Sequence, residues 1–215
     1  MRKIIPGLNI HVHTIFCIGR NYANHAKEMN APVPVEPVVF LKPVSAICYN
    51  GDTVQLPSQS TDVHHEVELV VAIRKTGKNI SVEEAHKYVA GYGIGIDFTA
   101  RDIQKNAKEK GQPWSVAKGF DHFAPISNFQ YFPGGTSTPL EFQLSVNGKV
   151  MQMGTTTDMI FSIDQLIAYL SSIFTLNEGD LIFTGTPEGV GPVQPGDRLM
   201  ATIKNFPNSL TVYIK

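Results

Sequence analysis

The stretch DVHHEVELVVAIRK, Asp62 to Lys75, constrains the fold of this chain more than any other. Read as a strand, it alternates its side chains, so Glu66, Glu68, Val70 and Ala72 share one face while Val67, Leu69, Val71 and Ile73 share the other. Both faces are largely apolar, which predicts a strand covered on both sides. Two carboxylates rooted about 6 to 7 Å apart on such a strand lose water and repel each other. A positive charge is expected between them.

A second stretch, AGYGIGIDFTARD, places Gly91, Gly93, Gly95 and Asp97 on one face and Tyr92, Ile94, Ile96 and Phe98 on the other. Three glycines on one face predict the close approach of a ligand or of another backbone, with space beside Asp97. Glu66, Glu68 and Asp97 together suit a hard divalent cation, Mg²⁺ or Mn²⁺, that keeps open positions for substrate and water. The bland alternative puts the two glutamates on an exposed edge and makes Asp97 a helix cap. A zinc site through His64 and His65 is the weaker reading, because adjacent strand residues point in opposite directions and no HExxH or cysteine cluster accompanies them.

Four further groups carry chemistry. His25 and Glu28, three apart in GRNYANHAKEM, meet side by side if that segment is a short helix; they make either a general base or a solvated face. The proline-interrupted loop that follows, NAPVPVEP, is of the kind that covers a site. Arg101, Gln104 and Lys108 form a polar stripe opposite Ala100, Ile103 and Ala107, either a plain solvent face or a substrate contact, and Lys118 stands alone among small and apolar residues in PWSVAKGF, a setting that suits an ammonium presented to an anion in a dry pocket. In DLIFTGTPEGVGPVQPGD, amides at Gly185, Gly189 and Gly191 with the hydroxyls of Thr184 and Thr186 make either a nest for a carboxylate or a simple turn. The lysine and helix of a nucleotide loop are missing from it.

A net charge of -1 and the lack of a basic run exclude nucleic acid and anionic lipid as expected partners. Hydrophobic residues at 42% against 17% charged supply a real core. The two cysteines, Cys17 and Cys48, form no disulfide framework, and Pro6, Asn9, His11 and His13 interrupt any signal or membrane helix near the start. A cytoplasmic protein with a single domain over 1–215 is expected. Helices are predicted in SVEEAHKYVAG, with a Ser81–Glu84 capping box and an end at Gly91; in TARDIQKNAKEKG, ending at Gly111; and in SIDQLIAYLSSIF, with a Ser162–Gln165 box. Short strands, including a hairpin at Asn147–Gly148, fill most of the rest, giving a mixed, β-rich α+β class.

Taken in order, IFCIGRNYANHAKEM, FLKP, HHEVELVVAI, GYGIGIDFTARDIQ, PWSVAKGFD, DMIFSI and LIFTGTPEGVGPV resemble the fumarylacetoacetate hydrolase family, most closely its short acylpyruvase and oxaloacetate decarboxylase branch. The resemblance implies a β-roll with a few short helices around a central site, assembled as a homodimer. It also implies Mg²⁺ on Glu66, Glu68 and Asp97, a water-activating His25–Glu28 dyad on a closing lid, and Lys118 facing the substrate. Arg101, Gln104 and Thr186 fall where the family contacts substrate carboxylate or carbonyls. The activity expected first is hydrolytic carbon–carbon cleavage of acylpyruvates (2,4-diketo acids) to pyruvate and a carboxylic acid. Oxaloacetate decarboxylation or keto–enol tautomerisation at the same metal is the alternative. From another class comes a catalytically inactive, metal-stabilised binding module, whose mark would be a broken dyad or a missing Lys118.

Overall fold

The Asp62–Lys75 stretch builds the middle of the largest sheet. The computed structural model describes residues 3–29, 32–132 and 138–215. In it, Val67–Ile73 pairs antiparallel with Leu181–Phe183 on one side and with Val89–Ile96 on the other, inside a seven-stranded sheet. The strand is covered on both faces, as its pattern requires. Val67, Leu69, Val71 and Ile73 join a large core with residues of a second, five-stranded sheet, such as Leu144 and Leu199, and with Leu166 and Leu170. Val70 and Ala72 join a smaller core with Ile47, Phe129 and Phe183. All six side chains are completely buried, and each larger one contributes roughly 1.5–3 kcal/mol.

Helices are few and short: α1 (Ala23–Glu28), α2 (Arg101–Glu109), α3 (Ser115–Lys118) and α4 (Ile163–Ile173). The Ser162–Gln165 capping box of α4 forms in both directions, and the Asn147–Gly148 hairpin turns through two positive φ angles, 51° and 84°. The helix expected over 81–91 does not form. Val82–Tyr88 is a 3₁₀ segment with no side-chain cap from Ser81, and Val89 already begins the strand in which Gly91 lies. Pairing with Val67–Ile73 buries Val89, Tyr92 and Ile94, and that tertiary gain outweighs local helix propensity.

The glycine face of this strand meets another backbone at Gly91, as one of the two expected readings has it, and departs from both at Gly93 and Gly95. A Cβ on Gly93 would stand 2.6 Å from the Phe129 ring, one on Gly95 2.7 Å from the Phe183 ring, and one on Gly91 2.8 Å from the Gln130 carbonyl oxygen. Two aromatic side chains and one backbone segment take the room that the pattern offered to a ligand.

Two neighbouring segments change sheet at the same level. Val63–His65 belongs to a small three-stranded sheet with Thr99–Ala100 and Gly191–Pro192, and the chain crosses into the large sheet at Glu66. Its neighbour crosses back between Ile96 and Thr99, through Asp97. The Asp97 N–H donates to the Glu66 carbonyl at 2.7 Å, which fastens the two crossings together. Of the loop NAPVPVEP, Asn30 and Ala31 lie outside the described residues, and 32–37 carries neither helix nor strand. Among the described residues no helix is long and apolar enough to cross a membrane.

Candidate functional site

The double crossing frees Glu66 and Asp97 from regular ladder positions and brings them beside Glu68. One carboxylate oxygen from each of the three lies within 4.8 Å of the others. The relative exposures are 5%, 2% and 0% for Glu66, Glu68 and Asp97, so water does little to separate their charges. The expected compensation comes first from the protein itself. Lys118 Nζ donates to Glu66 Oε2 at 2.8 Å and to Asp97 Oδ2 at 2.6 Å, while Arg101 Nη2 closes on Glu66 Oε1.

A third cation, Lys42, stands 2.7 Å from Asp97 Oδ1 and is completely buried. Its ammonium donates to the carbonyls of Phe98 (3.0 Å), Lys118 (2.5 Å) and Phe123 (2.9 Å). Three protons meet three carbonyls, so Asp97 Oδ1 receives charge but no hydrogen bond. A buried carboxylate oxygen with a bare lone pair, next to two more carboxylates, is a donor set that fits a hard divalent cation. Among the described residues, no other group of three or more His, Cys, Asp or Glu side chains is close enough to hold one.

The two strand glutamates are electrostatically unlike. Burial alone would raise the pKa of Glu66, but Arg101 and Lys118 outweigh it and hold that carboxyl well below its ordinary value. Glu68 has no cation of its own and accepts only the Gly185 N–H, at 2.7 Å. Burial first, then the charges of Asp97 and Glu66, push it well above the usual range.

On α1, His25 is buried and its Nδ1 lies 3.2 Å from Glu28 Oε2. Glu28 in turn accepts the Gly189 N–H at 3.0 Å. The loop expected to nest a ligand's carboxylate therefore nests two of the protein's own: Gly185 serves Glu68 and Gly189 serves Glu28. Its close packing explains the glycines. Both have positive φ, and a Cβ on Gly189 would fall 2.2 Å from the Met151 carbonyl oxygen. Gly191 instead pairs with His65 in the small sheet.

His25, Glu66, Glu68, Asp97, Arg101, Gln104, Lys118 and Thr186 all line one cavity of about 40 Å³; Glu28 stands behind His25. Arg20 and Lys108 complete its charged lining. The Arg101 guanidinium donates to Gln104 Oε1 at 3.0 Å, and the Thr186 hydroxyl donates to the Val67 carbonyl at 2.8 Å. A cavity of about 760 Å³ lies elsewhere, between residues such as Lys3, Tyr49, Asn128 and Ser209, and its described lining has no acidic or imidazole side chain. The candidate acidic and imidazole side chains line the small one. His64 and His65 point apart, to Asp62 (2.9 Å) and to Gln152 (2.9 Å), and their pKa values are lowered, mainly by burial.

Gln152 is absent from the sequence reading. Its amide uses every bond it has: Oε1 accepts from Val67 N at 3.0 Å and bonds His65 Nδ1, while Nε2 donates to Thr186 Oγ1 at 2.8 Å and to the Pro187 carbonyl at 2.9 Å. It ties the two residues flanking Glu66 to the loop that holds Glu68 and Glu28. In Lys149–Thr155 the methionines at 151 and 153 are exposed and Gln152 is buried, the reverse of what hydropathy suggests. Lys42 had one weak signal, a lone charge ending the apolar run VVFL before Pro43.

The comparisons bear on the whole chain. The family model described as fumarylacetoacetate (FAA) hydrolase C-terminal matches residues 14–211. The chain is 46% identical over 209 residues to the oxaloacetate tautomerase YcgM of Escherichia coli (strain K12), covering 96% of this chain and 94% of that protein. It is 48% identical over 192 residues to the mitochondrial oxaloacetate tautomerase FAHD1 of Arabidopsis thaliana, covering 88% and 85%. A crystal structure of fumarylpyruvate hydrolase from Pseudomonas aeruginosa, in complex with Mn²⁺ and pyruvate, superposes with a TM-score of 0.88 at 39% identity, over 95% of this chain and 90% of that one.

Proposed function

Because the chain belongs to the fumarylacetoacetate hydrolase family, we propose that it is a divalent-metal-dependent enzyme that interconverts the enol and keto forms of oxaloacetate. The observation that carries this reading is the convergence of three buried carboxylates, Lys118 and a glutamate-held histidine on one cavity of about 40 Å³. Two relatives named as oxaloacetate tautomerases support the substrate.

Glu66, Glu68 and Asp97 would hold Mg²⁺, with Mn²⁺ as a substitute that the Pseudomonas structure supports. When bound, the ion supplies Lewis-acid stabilisation of negative charge on a substrate oxygen. Lys118 adds a fixed positive charge beside Glu66 and Asp97, where that oxygen gathers electron density. Arg101 and Gln104, joined by their own hydrogen bond, receive the carboxylate next to the keto group. Thr186 has its proton committed to Val67 and one acceptor bond taken by Gln152, so it offers the substrate a single lone pair. With Nδ1–H given to Glu28, His25 carries its free lone pair on Nε2. That atom takes the proton from C3 of the keto form and delivers it to the enolate oxygen, and in reverse it takes the enol hydroxyl proton and delivers it to C3.

A second reading, hydrolysis of acylpyruvates, is supported by the fumarylpyruvate hydrolase neighbour. It uses the same dyad to draw a proton from water. The deciding experiment follows loss of enol absorbance from oxaloacetate and release of pyruvate from acetylpyruvate and from oxaloacetate, each with and without Mg²⁺. Metal-dependent enol-to-keto conversion that exceeds pyruvate release from either compound is the expected result. Faster pyruvate release from acetylpyruvate would favour hydrolysis, and metal-dependent turnover of nothing would remove both.

A further inference from the structure

Two cations at the mouth of the cavity take no part in the chemistry above. Arg20 follows the Ile15–Gly19 strand with a φ of 60°, a left-handed conformation uncommon outside glycine. The next residue fixes it there. The Asn21 amide donates to the carbonyls of Phe161 (3.0 Å) and Thr184 (2.8 Å) and accepts the Phe161 N–H (2.8 Å). Lys108 lies one turn beyond Gln104 on α2, with its ammonium 5.2 Å from the centre of the Trp114 ring. Among the described residues neither Arg20 nor Lys108 has a carboxylate partner.

An aromatic pair lies beneath Lys108 and Lys118. Phe40 and Trp114 meet edge to face with centroids 5.7 Å apart. Each ring carries an ammonium: Lys118 at 4.8 Å from Phe40, beside the carboxylates, and Lys108 over Trp114, farther out. Two positive charges are thus held over adjoining rings.

The charge balance points the same way. Arg20, Arg101, Lys108 and Lys118 line the cavity and Lys42 pairs with Asp97 from behind, against the carboxylates Glu66, Glu68 and Asp97. With Glu28 behind His25 counted as Lys42 is, five cations against four carboxylates leave one positive charge in excess, and a divalent ion raises the excess to three. A monoanionic 2-oxo acid leaves most of that excess in place, whereas a dianion offsets twice as much.

We propose that Arg20 and Lys108 form a receptor for the substrate's second, distal carboxylate, so that the site selects 2-oxo dicarboxylates over 2-oxo monoacids. This rests on the oxo-acid reading above and adds its selectivity. Both groups act by ion pairing with the C4 carboxylate, which is bonded to the C3 that His25 serves, and neither moves a proton.

The test compares kcat/KM for enolic oxaloacetate with that for its 4-methyl ester, which keeps the skeleton and loses the distal charge. The Mg²⁺-loaded full chain is assayed as wild type, Lys108→Met and Arg20→Asn/Lys108→Met. Asn tolerates the left-handed backbone. Wild type is expected to prefer the diacid. The double variant should lower the diacid-to-ester ratio about 100-fold, as the loss of two charge-assisted contacts. That loss should persist in about 0.5 M salt, where long-range steering is screened out. A ratio unchanged in the variants, or a loss that disappears in salt, overturns the inference and leaves the tautomerase reading intact. A wild type that converts neither compound overturns both. If the double variant does not fold, Lys108→Met carries the test, with an expected drop of about 10-fold.

Discussion

The inner end of the cavity and its mouth are both rich in charge, but they balance it differently. Inside, Lys42, Lys118 and Arg101 stand within ion-pair distance of Asp97 and Glu66, and only Glu68 lacks a cation. At the mouth, Arg20 and Lys108 have no carboxylate among the described residues. Buried charges destabilise the fold unless they are paired there and then, so the inner set must be largely neutral before any ligand arrives. Half-solvated charges carry a small cost and can wait for a ligand. The inner set is thereby tied to stability, and the mouth to recognition.

The comparison breaks most readily at its inner end. Replacing His25 with Ala is expected to slow enol–keto conversion 10²–10⁴-fold, the usual scale for losing a general base, while calorimetry shows Mg²⁺ binding retained. Undiminished turnover would take His25 out of the mechanism. Asp97→Ala leaves Lys42 without a carboxylate and Lys118 with Glu66 alone, and should cost about 3–5 kcal/mol in urea unfolding of the metal-free protein. A loss under about 1 kcal/mol would mean that the inner charges are not balanced by pairing.

Glu68→Gln sharpens the contrast because its sign is opposite. The folded pKa of Glu68 lies above its unfolded value near 4.3, so the folded state holds the proton more tightly and this carboxyl destabilises the metal-free fold increasingly as pH rises past that value. In chelator at pH 7, Glu68→Gln should leave the protein as stable or more stable, while Mg²⁺ affinity falls. A destabilised variant would contradict the assignment of Glu68 as the carboxylate without a counterion.

Gln152→Leu removes an amide with four partners and should cost about 2–3 kcal/mol, with weaker metal binding, because the backbone beside Glu66 and the Thr186 loop lose their shared anchor. The smallest effect concerns Asp102, which clamps the start of α2 by accepting from Ser60 Oγ (2.6 Å), Thr61 N (2.9 Å) and Ile103 N (2.8 Å). Burial opposes ionisation, but these bonds prevail and lower its pKa. A depressed carboxylate pKa contributes stability that is present above the unfolded value and lost as pH falls through the folded one. Asp102→Ala should therefore cost about 1–2 kcal/mol at pH 7 and little in strong acid, as read from unfolding curves at both pH values.

Much of this architecture was legible in short windows. The alternation of Val67–Ile73 gave a strand buried on both faces, the Ser162–Gln165 box gave the start of α4, and Asn147–Gly148 gave a hairpin. Each rests on contacts within a few residues or on one period of hydropathy. Prediction failed where a distant segment decided the outcome. The 81–91 stretch has a helical pattern, yet the free edge of Val67–Ile73 drew residues 89–96 into the sheet. The glycine face looked like a ligand berth until Phe129 and Phe183 were found filling it. The loop at 184–191 has the composition of an anion nest, and only the fold shows that the anions are Glu68 and Glu28.

By itself the sequence determined that a strand buried on both faces carries Glu68 with Glu66 just before it, and that Asp97 follows the next glycine-rich strand, because burial pattern and order along the chain are local properties. Tertiary structure alone decided what surrounds them. Lys42, Gln152 and Arg20 are scattered from residue 20 to residue 152, and no local rule connects a strand-end lysine, an inward glutamine and a left-handed arginine. Electrostatic and hydrogen-bonding energies depend on distances through space, and those exist only once the two sheets have crossed at Glu66 and Asp97.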